Sequence, residues 1–64
     1  MMVKYDKTVD VLYIVFSENE ISESDEDKPG VILDYDSTGG IVGIEILDAS
    51  KKMKNPAYVE YEVA

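Results

Sequence analysis

Cysteine and histidine are both absent from this chain of 64 residues. Without cysteine there is no disulfide and no thiolate metal site, and without histidine the commonest metal ligand and general base are missing. A serine or cysteine nucleophile activated by histidine is therefore excluded. A chain this short buries only about 60% of the surface that its unfolded form exposes. Small scaffolds need an additional constraint, so we expect oligomerisation to supply it.

Long apolar runs are missing as well. None approaches the ~20 residues of a membrane helix, which predicts that the protein has no membrane partner. The N-terminal region lacks a signal-peptide pattern because Asp6 and Asp10 interrupt it. No glycine-rich phosphate loop precedes a helix. We expect a single small β-rich domain over residues 1–64, soluble and cytoplasmic.

Positive charge is scarce, with 6 basic against 14 acidic residues and a net charge of −8. Long-range repulsion by phosphates disfavours nucleic-acid binding by this chain. The lysines at 51, 52 and 54 form the only basic cluster, which is typical of a solvated helical turn. The acidic balance suits solubility, and it also suits a basic protein partner.

The stretch 31–47 carries the clearest structural pattern, two aliphatic runs around a polar, glycine-rich turn. A two-residue turn at Thr38-Gly39 and a four-residue loop at 37–40 both satisfy this pattern. Gly43, in mid-strand, indicates either close backbone approach or a bulge. The register that keeps one face apolar pairs Val31 with Ile46, Leu33 with Ile44 and Tyr35 with Val42.

Two strands are predicted before this hairpin, over residues 1–5 and 11–17. The second is apolar on both faces, which is typical of an interior strand covered on its other side by another element or chain. In the connecting loop, Asp6 suits an Asx-turn or a helical cap and Asp10 closes the loop. Pairing Tyr5 with Leu12 and Val3 with Ile14 makes an antiparallel hairpin.

The acidic segment that follows, residues 22–27, is compatible with an edge strand kept exposed to water by its charge or with a loop. A calcium site is disfavoured because the segment lacks the glycine-containing spacing of a calcium loop. The turn at 27–30, with Pro29 and Gly30, leads into the hairpin. The calcium ligands would have been Glu23, Asp25, Glu26 and Asp27.

After the hairpin, the composition of residues 48–54 predicts a short helix with Asp48 as N-cap, ended by Asn55-Pro56. The tail, residues 57–64, alternates with period two and predicts a half-buried strand. This strand either joins its own sheet or the sheet of a neighbouring chain.

Four motifs follow one another along the chain and form an ordered run. They are Tyr5-Asp6, Asp10 with Leu12-Tyr13-Ile14, Pro29 through Asp36, and Gly40 through Ser50. This run resembles a widespread prokaryotic family catalogued as domain of unknown function 2283, over residues 1 to about 54. The resemblance implies a small uncharacterised bacterial or archaeal protein. It also implies an antitoxin-like role, because some members look like partners of small ribonuclease-like toxins. It carries over no catalytic residues.

These patterns together predict an antiparallel β meander of five or six short strands with at most one short C-terminal helix. Five tyrosines suit protein interfaces and half-buried strands equally well. We expect a homodimer or higher oligomer, formed through the Val11 face or through the tail. The candidate interface residues are Val11, Tyr13, Val15, Tyr58, Val59 and Tyr61.

Two functions are compatible with the sequence. The favoured one is a non-enzymatic protein-interaction module, antitoxin-like, that binds a basic partner and has no catalytic, cofactor or metal residues. The alternative is a metal- or carboxylate-dependent enzyme. We expect Asp34 and Asp36 to share one strand face and to be exposed to solvent, which disfavours the enzyme. Its candidate residues are Asp6, Asp10, Asp34 and Asp36.

Overall fold

The computed structural model of the protein describes all 64 residues. It contains five β-strands and one short helix. The strands are β1 (Met2–Asp6), β2 (Val11–Val15), β3 (Glu23–Lys28), β4 (Val31–Tyr35) and β5 (Ile41–Leu47), and the helix is α1 (Ala49–Lys52). No helix has the length and apolar character that a membrane span requires.

All five strands form one antiparallel sheet in the order β1-β2-β5-β4-β3. The β1–β2 hairpin joins the β3-β4-β5 meander through the pairing of β2 with β5. The connection 16–22 therefore carries the chain from the interior of the sheet to its far edge. The predicted mainly β class, the five antiparallel strands and the short C-terminal helix are confirmed.

The first hairpin has the predicted register, with Tyr5 opposite Leu12 and Val3 opposite Ile14. Its loop contains the predicted Asx-turn, because the Thr8 backbone N–H donates to Asp6 Oδ1 over 3.0 Å. The second strand is interior, as its apolar character on both faces predicted.

The β4–β5 hairpin follows the predicted register as far as Asp34, and Val31 and Leu33 lie opposite the predicted partners. Beyond that point a bulge shifts the pairing, so Tyr35 lies opposite Ile41 and the predicted pairing with Val42 is wrong. The extra residue of the bulge lies in β5, beside Gly43.

The loop of this hairpin contains three residues, 37–39, between the two predicted lengths. The Asp36 backbone N–H donates to the Gly40 carbonyl over 2.9 Å and closes it. Gly39, with φ of +86°, takes the left-handed conformation that such a loop requires. The loop is one residue shorter than the predicted four-residue loop, and the bulge in β5 accommodates that residue.

Of the two roles predicted for Gly43, close backbone approach is confirmed, and a bulge also lies directly beside it. A Cβ at this position would lie 2.7 Å from the Ile14 carbonyl oxygen of β2, nearer than real side chains come. Since β2 and β5 hold the two halves of the sheet together, this contact makes glycine a requirement of the junction.

The core is small, as the length of the chain demands. Only six residues are buried, and five of them are apolar or glycine. The buried set is Val11, Leu12, Asp34, Val42, Gly43 and Ala49.

Two predictions for the C-terminal region are wrong. Asp48 occupies the predicted N-cap position of α1, but its φ is 52° and its side chain makes no capping hydrogen bond, so the predicted capping interaction is absent. The tail forms no strand in its own sheet, and residues 57–64 are exposed. The tail keeps its alternating pattern, but no strand of the same chain lies beside it to cover the apolar side chains.

Candidate functional site

The most buried ionisable side chain belongs to Asp34, in the middle of β4, which is only 4% exposed. Ser24 Oγ, on the neighbouring strand β3, donates to Asp34 Oδ1 over 2.6 Å. On the other side, Asp34 lies opposite Gly43 of β5. The predicted solvent exposure of Asp34 is therefore wrong, because neighbours on β3 and β5 enclose a position that polarity alone marks as exposed.

Glu45 lies two residues beyond Gly43 on β5, on the same face as Asp34. A hydrogen bond with Asp34 raises the pKa of the Glu45 carboxyl, and burial and the negative charge of Asp34 raise it further. The two side chains form a carboxyl pair that holds a proton more readily than a free glutamate does. In chemical terms, such a pair can donate or accept a proton.

A polar stripe continues from this pair across the same face of the sheet. Tyr13 on β2 lies opposite Glu45, and Lys4 on β1 lies opposite Tyr13. The Lys4 ammonium lies 5.9 Å from the centre of the Tyr13 ring, within the range of a cation–π contact. The carboxyl pair therefore has a tyrosine and a lysine as its neighbours in register.

Asp10, at the end of the loop between β1 and β2, accepts several hydrogen bonds. Its Oδ1 accepts hydrogen bonds from the Tyr5 hydroxyl at 2.7 Å and from the Ser50 backbone N–H at 3.0 Å, and its Oδ2 accepts from Ser50 Oγ at 2.6 Å. The Asp10 carbonyl accepts from the Ala49 N–H at 3.0 Å. Asp10 thus satisfies the first free N–H groups of α1, which sequence reasoning assigned to Asp48.

These bonds change the acidity of both partners. The hydrogen bonds from Ser50, then that from Tyr5, lower the pKa of Asp10. The bond to Asp10 raises the pKa of the Tyr5 hydroxyl. Forty residues separate Asp10 from Ser50, so no local sequence pattern reports the contact.

Asp36 organises the β4–β5 loop. Its Oδ1 accepts from the Thr38 N–H at 2.9 Å, from Thr38 Oγ1 at 2.7 Å and from the Gly40 N–H at 2.8 Å. Its Oδ2 accepts from Asn19 Nδ2 at 3.0 Å, which ties the connection 16–22 to the hairpin loop. The bonds from Thr38, Asn19 and Gly40, in that order, lower the pKa of Asp36 to about 2.

The four aspartates of the enzyme hypothesis therefore have different surroundings. Asp6 and Asp36 stabilise turns, Asp10 holds α1, and Asp34 belongs to the carboxyl pair. No three acidic side chains converge in a way that could hold a metal ion. An open, mainly polar cleft lies beside the Asp36 loop, lined among others by Asn19, Ser22 and Thr38.

The acidic segment forms the edge strand β3 and not a loop. All six of its residues are exposed. Together with the end of the preceding connection it forms an acidic edge that holds six of the fourteen acidic residues. The acidic edge consists of Glu18, Glu20, Glu23, Asp25, Glu26 and Asp27.

The predicted interface residues fall into three groups. Tyr58, Val59 and Tyr61 in the tail are 65%, 57% and 74% exposed. Tyr13 and Val15 are half-buried. Val11 is only 7% exposed and is covered within its own chain, so it offers no surface to a partner.

A family model matches residues 2–50, and its description is Protein of unknown function (DUF2283). The chain belongs to this family. The DUF2283 match covers all five strands and Asp10, Asp34, Asp36 and Glu45, whereas the tail lies outside it. It confirms the family resemblance seen in the sequence. No curated protein and no solved structure matches the chain.

Proposed function

We propose that this DUF2283 chain is a non-enzymatic protein-interaction module of the cytoplasm, and that its acidic edge binds a basic partner. The observation that carries the proposal is the full exposure of β3, an edge strand with four acidic side chains among six residues. An antitoxin that neutralises a basic toxin is one form of this function.

The mode of binding follows from the position of the strand. The outer side of β3 has no neighbouring strand, so its backbone N–H and C=O groups are free to pair with an extended segment. Carboxylates on β3 repel an acidic segment and attract one rich in lysine or arginine. The association should weaken as salt screens these charges.

A synthetic peptide of alternating lysine and valine is a suitable probe. We expect it to shift the backbone amide resonances of β3 more than those of β1, with an affinity that falls as salt is raised. The variant Glu23→Gln/Asp25→Asn/Asp27→Asn should lose most of this binding. Equal binding by this variant, or shifts spread evenly over the sheet, would contradict the proposal.

The control is Asp48→Asn/Glu60→Gln/Glu62→Gln, which removes the same number of charges from exposed positions outside the acidic edge. It should bind the peptide nearly as well as the natural chain. A native pull-down from the source cells then asks whether a stoichiometric small basic protein is released by high salt. The triple β3 variant should fail to retain that protein.

The carboxyl pair favours a second candidate, a carboxylate-dependent enzyme that uses Asp34 and Glu45 for proton transfer. A half-buried glutamate with a raised pKa beside a second carboxylate is a common feature of acid–base sites. The test is a screen with chromogenic phosphate, ester and glycoside substrates. Activity that disappears in Glu45→Gln but survives in Glu62→Gln would support this candidate, and activity unchanged by Glu45→Gln would exclude the pair.

A further inference from the structure

Two elements of the molecule lack the partner that their sequence pattern requires. One is the outer edge of β1, which pairs with β2 on one side only. The other is the tail strand, defined here as residues 57–64, which is exposed throughout. They lie outside the acidic edge, so the inference drawn from them is independent of the proposed function.

The tail strand has the alternation of a strand with one covered face. Val59, Tyr61 and Val63 share one side and are 57%, 74% and 78% exposed. Glu60 and Glu62 lie on the other side, where the Tyr58 hydroxyl donates to Glu60 Oε1 over 3.1 Å. An extended segment with this pattern buries its apolar side only when it pairs with a sheet.

The edge strand β1 shows the complementary pattern. Val3 and Tyr5 lie on one face, and Val3 is still 41% exposed. Lys4 lies on the other face. Its ammonium makes no hydrogen bond to a carboxylate and lies over the Tyr13 ring. Lys7 follows directly after the strand.

Charge decides which of the two open edges the tail strand fits. Along β3 the two tail glutamates would meet Glu23, Asp25 and their acidic neighbours, and like charges directly opposite each other destabilise a strand pair. Along β1 they would meet Lys4, and an antiparallel register with Glu60 opposite Lys4 and Glu62 opposite Met2 keeps both glutamates away from Asp6 at the end of the strand. The same register places Val59, Tyr61 and Val63 on the side of Val3 and Tyr5.

We propose that the tail strand of one copy adds to the outer edge of β1 of a second copy, and that the two copies exchange tails reciprocally. Each copy offers both a tail and an edge, so the exchange closes as a two-fold symmetric dimer. It extends each sheet to six strands and covers apolar side chains that the single chain leaves exposed. Because only six residues are buried in the single chain, association would add apolar burial that this small fold lacks.

Sedimentation velocity at micromolar concentrations tests the proposal, combined with a charge exchange. The natural chain should sediment as a dimer. Lys4→Glu alone, and Glu60→Lys/Glu62→Lys alone, should each weaken the dimer roughly tenfold, because each places like charges opposite one another in both copies. Combining all three substitutions should restore the dimer. Lys54→Glu, an exposed lysine outside both elements, serves as the control and should leave the dimer unchanged.

Mixing differently isotope-labelled copies identifies the pairing directly. We expect nuclear Overhauser contacts between the tail strand of a copy that carries one label and β1 of a copy that carries the other label. A natural chain that stays monomeric, contacts confined to a single copy, or a combined variant that fails to recover the dimer would each overturn the proposal. Thermal unfolding of each variant shows whether the fold itself is intact, and only folded variants enter the comparison.

Discussion

The two edge strands of this sheet, β1 and β3, differ in the charge and polarity of their side chains. β1 contains methionine, valine and tyrosine with one lysine and a terminal aspartate, whereas β3 has no apolar side chain and four acidic ones. A charged edge resists pairing with copies of itself, whereas an edge with exposed apolar side chains is open to pairing with another strand. This difference is what the two proposals use: a basic partner is proposed for the β3 edge, and the tail strand of a second copy for the β1 edge.

The two edges are attached to the sheet in a similar way. In each edge strand, one side-chain hydroxyl donates a hydrogen bond to an aspartate outside that strand. Tyr5 donates to Asp10, and Ser24 donates to Asp34. The aspartates differ in burial, since Asp34 is 4% exposed and Asp10 is half-buried. The same type of bond should therefore contribute more to stability at the β3 edge than at the β1 edge.

The junction between the two halves offers the largest expected effect. In Gly43→Ala the new Cβ would meet the Ile14 carbonyl oxygen at 2.7 Å, and the backbones of β2 and β5 must separate. We expect a loss of about 2–3 kcal/mol in unfolding free energy, or roughly 10–20 °C in Tm. Thermal unfolding measures the loss, and hydrogen exchange should show both edges losing protection together.

Gly39→Ala is the matched control for this prediction. Nothing lies within 4 Å of a Cβ at Gly39, so only its φ of +86° opposes the substitution. The cost should be about 1–2 kcal/mol and confined to the hairpin loop. An equal loss in both variants would mean that the close approach of β2 and β5 is not what requires glycine at position 43.

The two inward hydroxyl bonds can be compared directly. Ser24→Ala removes a donor from the buried Asp34 carboxylate and should cost about 1–2 kcal/mol. Tyr5→Phe should lower Tm less, because Asp10 is half-buried and keeps both bonds from Ser50. Chemical denaturation of the two variants measures the difference. A larger loss for Tyr5→Phe would reverse the ranking of the two edges.

The carboxyl pair makes stability depend on pH in a direction that can be stated. The folded-state pKa of Glu45 lies above the ordinary 4.5. The stabilisation that protonated Glu45 contributes to the fold is therefore complete below pH 4.5. It is lost as pH rises through the folded-state pKa. Glu45→Gln should therefore raise stability at pH 7, by less than about 1 kcal/mol for this partly exposed group. The amide can still donate to Asp34.

The Tm difference between Glu45→Gln and the natural chain should shrink as the pH falls below about 4.5, where the natural glutamate is also neutral. Glu62→Gln in the exposed tail is the control and should show no such pH dependence in the monomer. A destabilised Glu45→Gln at pH 7 would show that the pair favours two charges over a shared proton.

The smallest effect is expected at the β4–β5 loop, which the bond between Asp36 and Asn19 ties to the connection that precedes β3. The pKa of Asp36 lies at about 2, below the ordinary 3.8, so its stabilising contribution is complete above 3.8 and is lost as pH falls through about 2. Asp36→Asn should lower Tm slightly at pH 7, since the amide oxygen still accepts from the Thr38 N–H, and the deficit should vanish near pH 2. Asp25→Asn, on the exposed edge, should show no comparable acid dependence; if it does, the loop bonds of Asp36 are not the cause.

Local patterns were sufficient for much of the fold. Alternation and turn residues predicted the β1–β2 register, most of the β4–β5 register and the Asx-turn at Asp6, because each depends on neighbours a few residues away. A glycine in mid-strand also indicated a close backbone approach at Gly43, but not that the partner is Ile14 of β2. Local patterns also located the acidic segment, although only the sheet order made it an edge strand. The bulge that places Tyr35 opposite Ile41 was missed because it adjusts the strand to its three-residue loop.

The sequence by itself determined the class of the fold, the excess of negative charge and the exclusion of cysteine and histidine chemistry. Only the tertiary structure decided that Asp34 is buried beside Glu45, that Asp10 rather than Asp48 holds α1, and that the tail lies unpaired. Each of these depends on residues far apart in the chain or on a strand that is absent beside the tail. Burial and pKa are properties of the surroundings that the fold assembles, and a residue type reports only what a side chain can do once those surroundings exist.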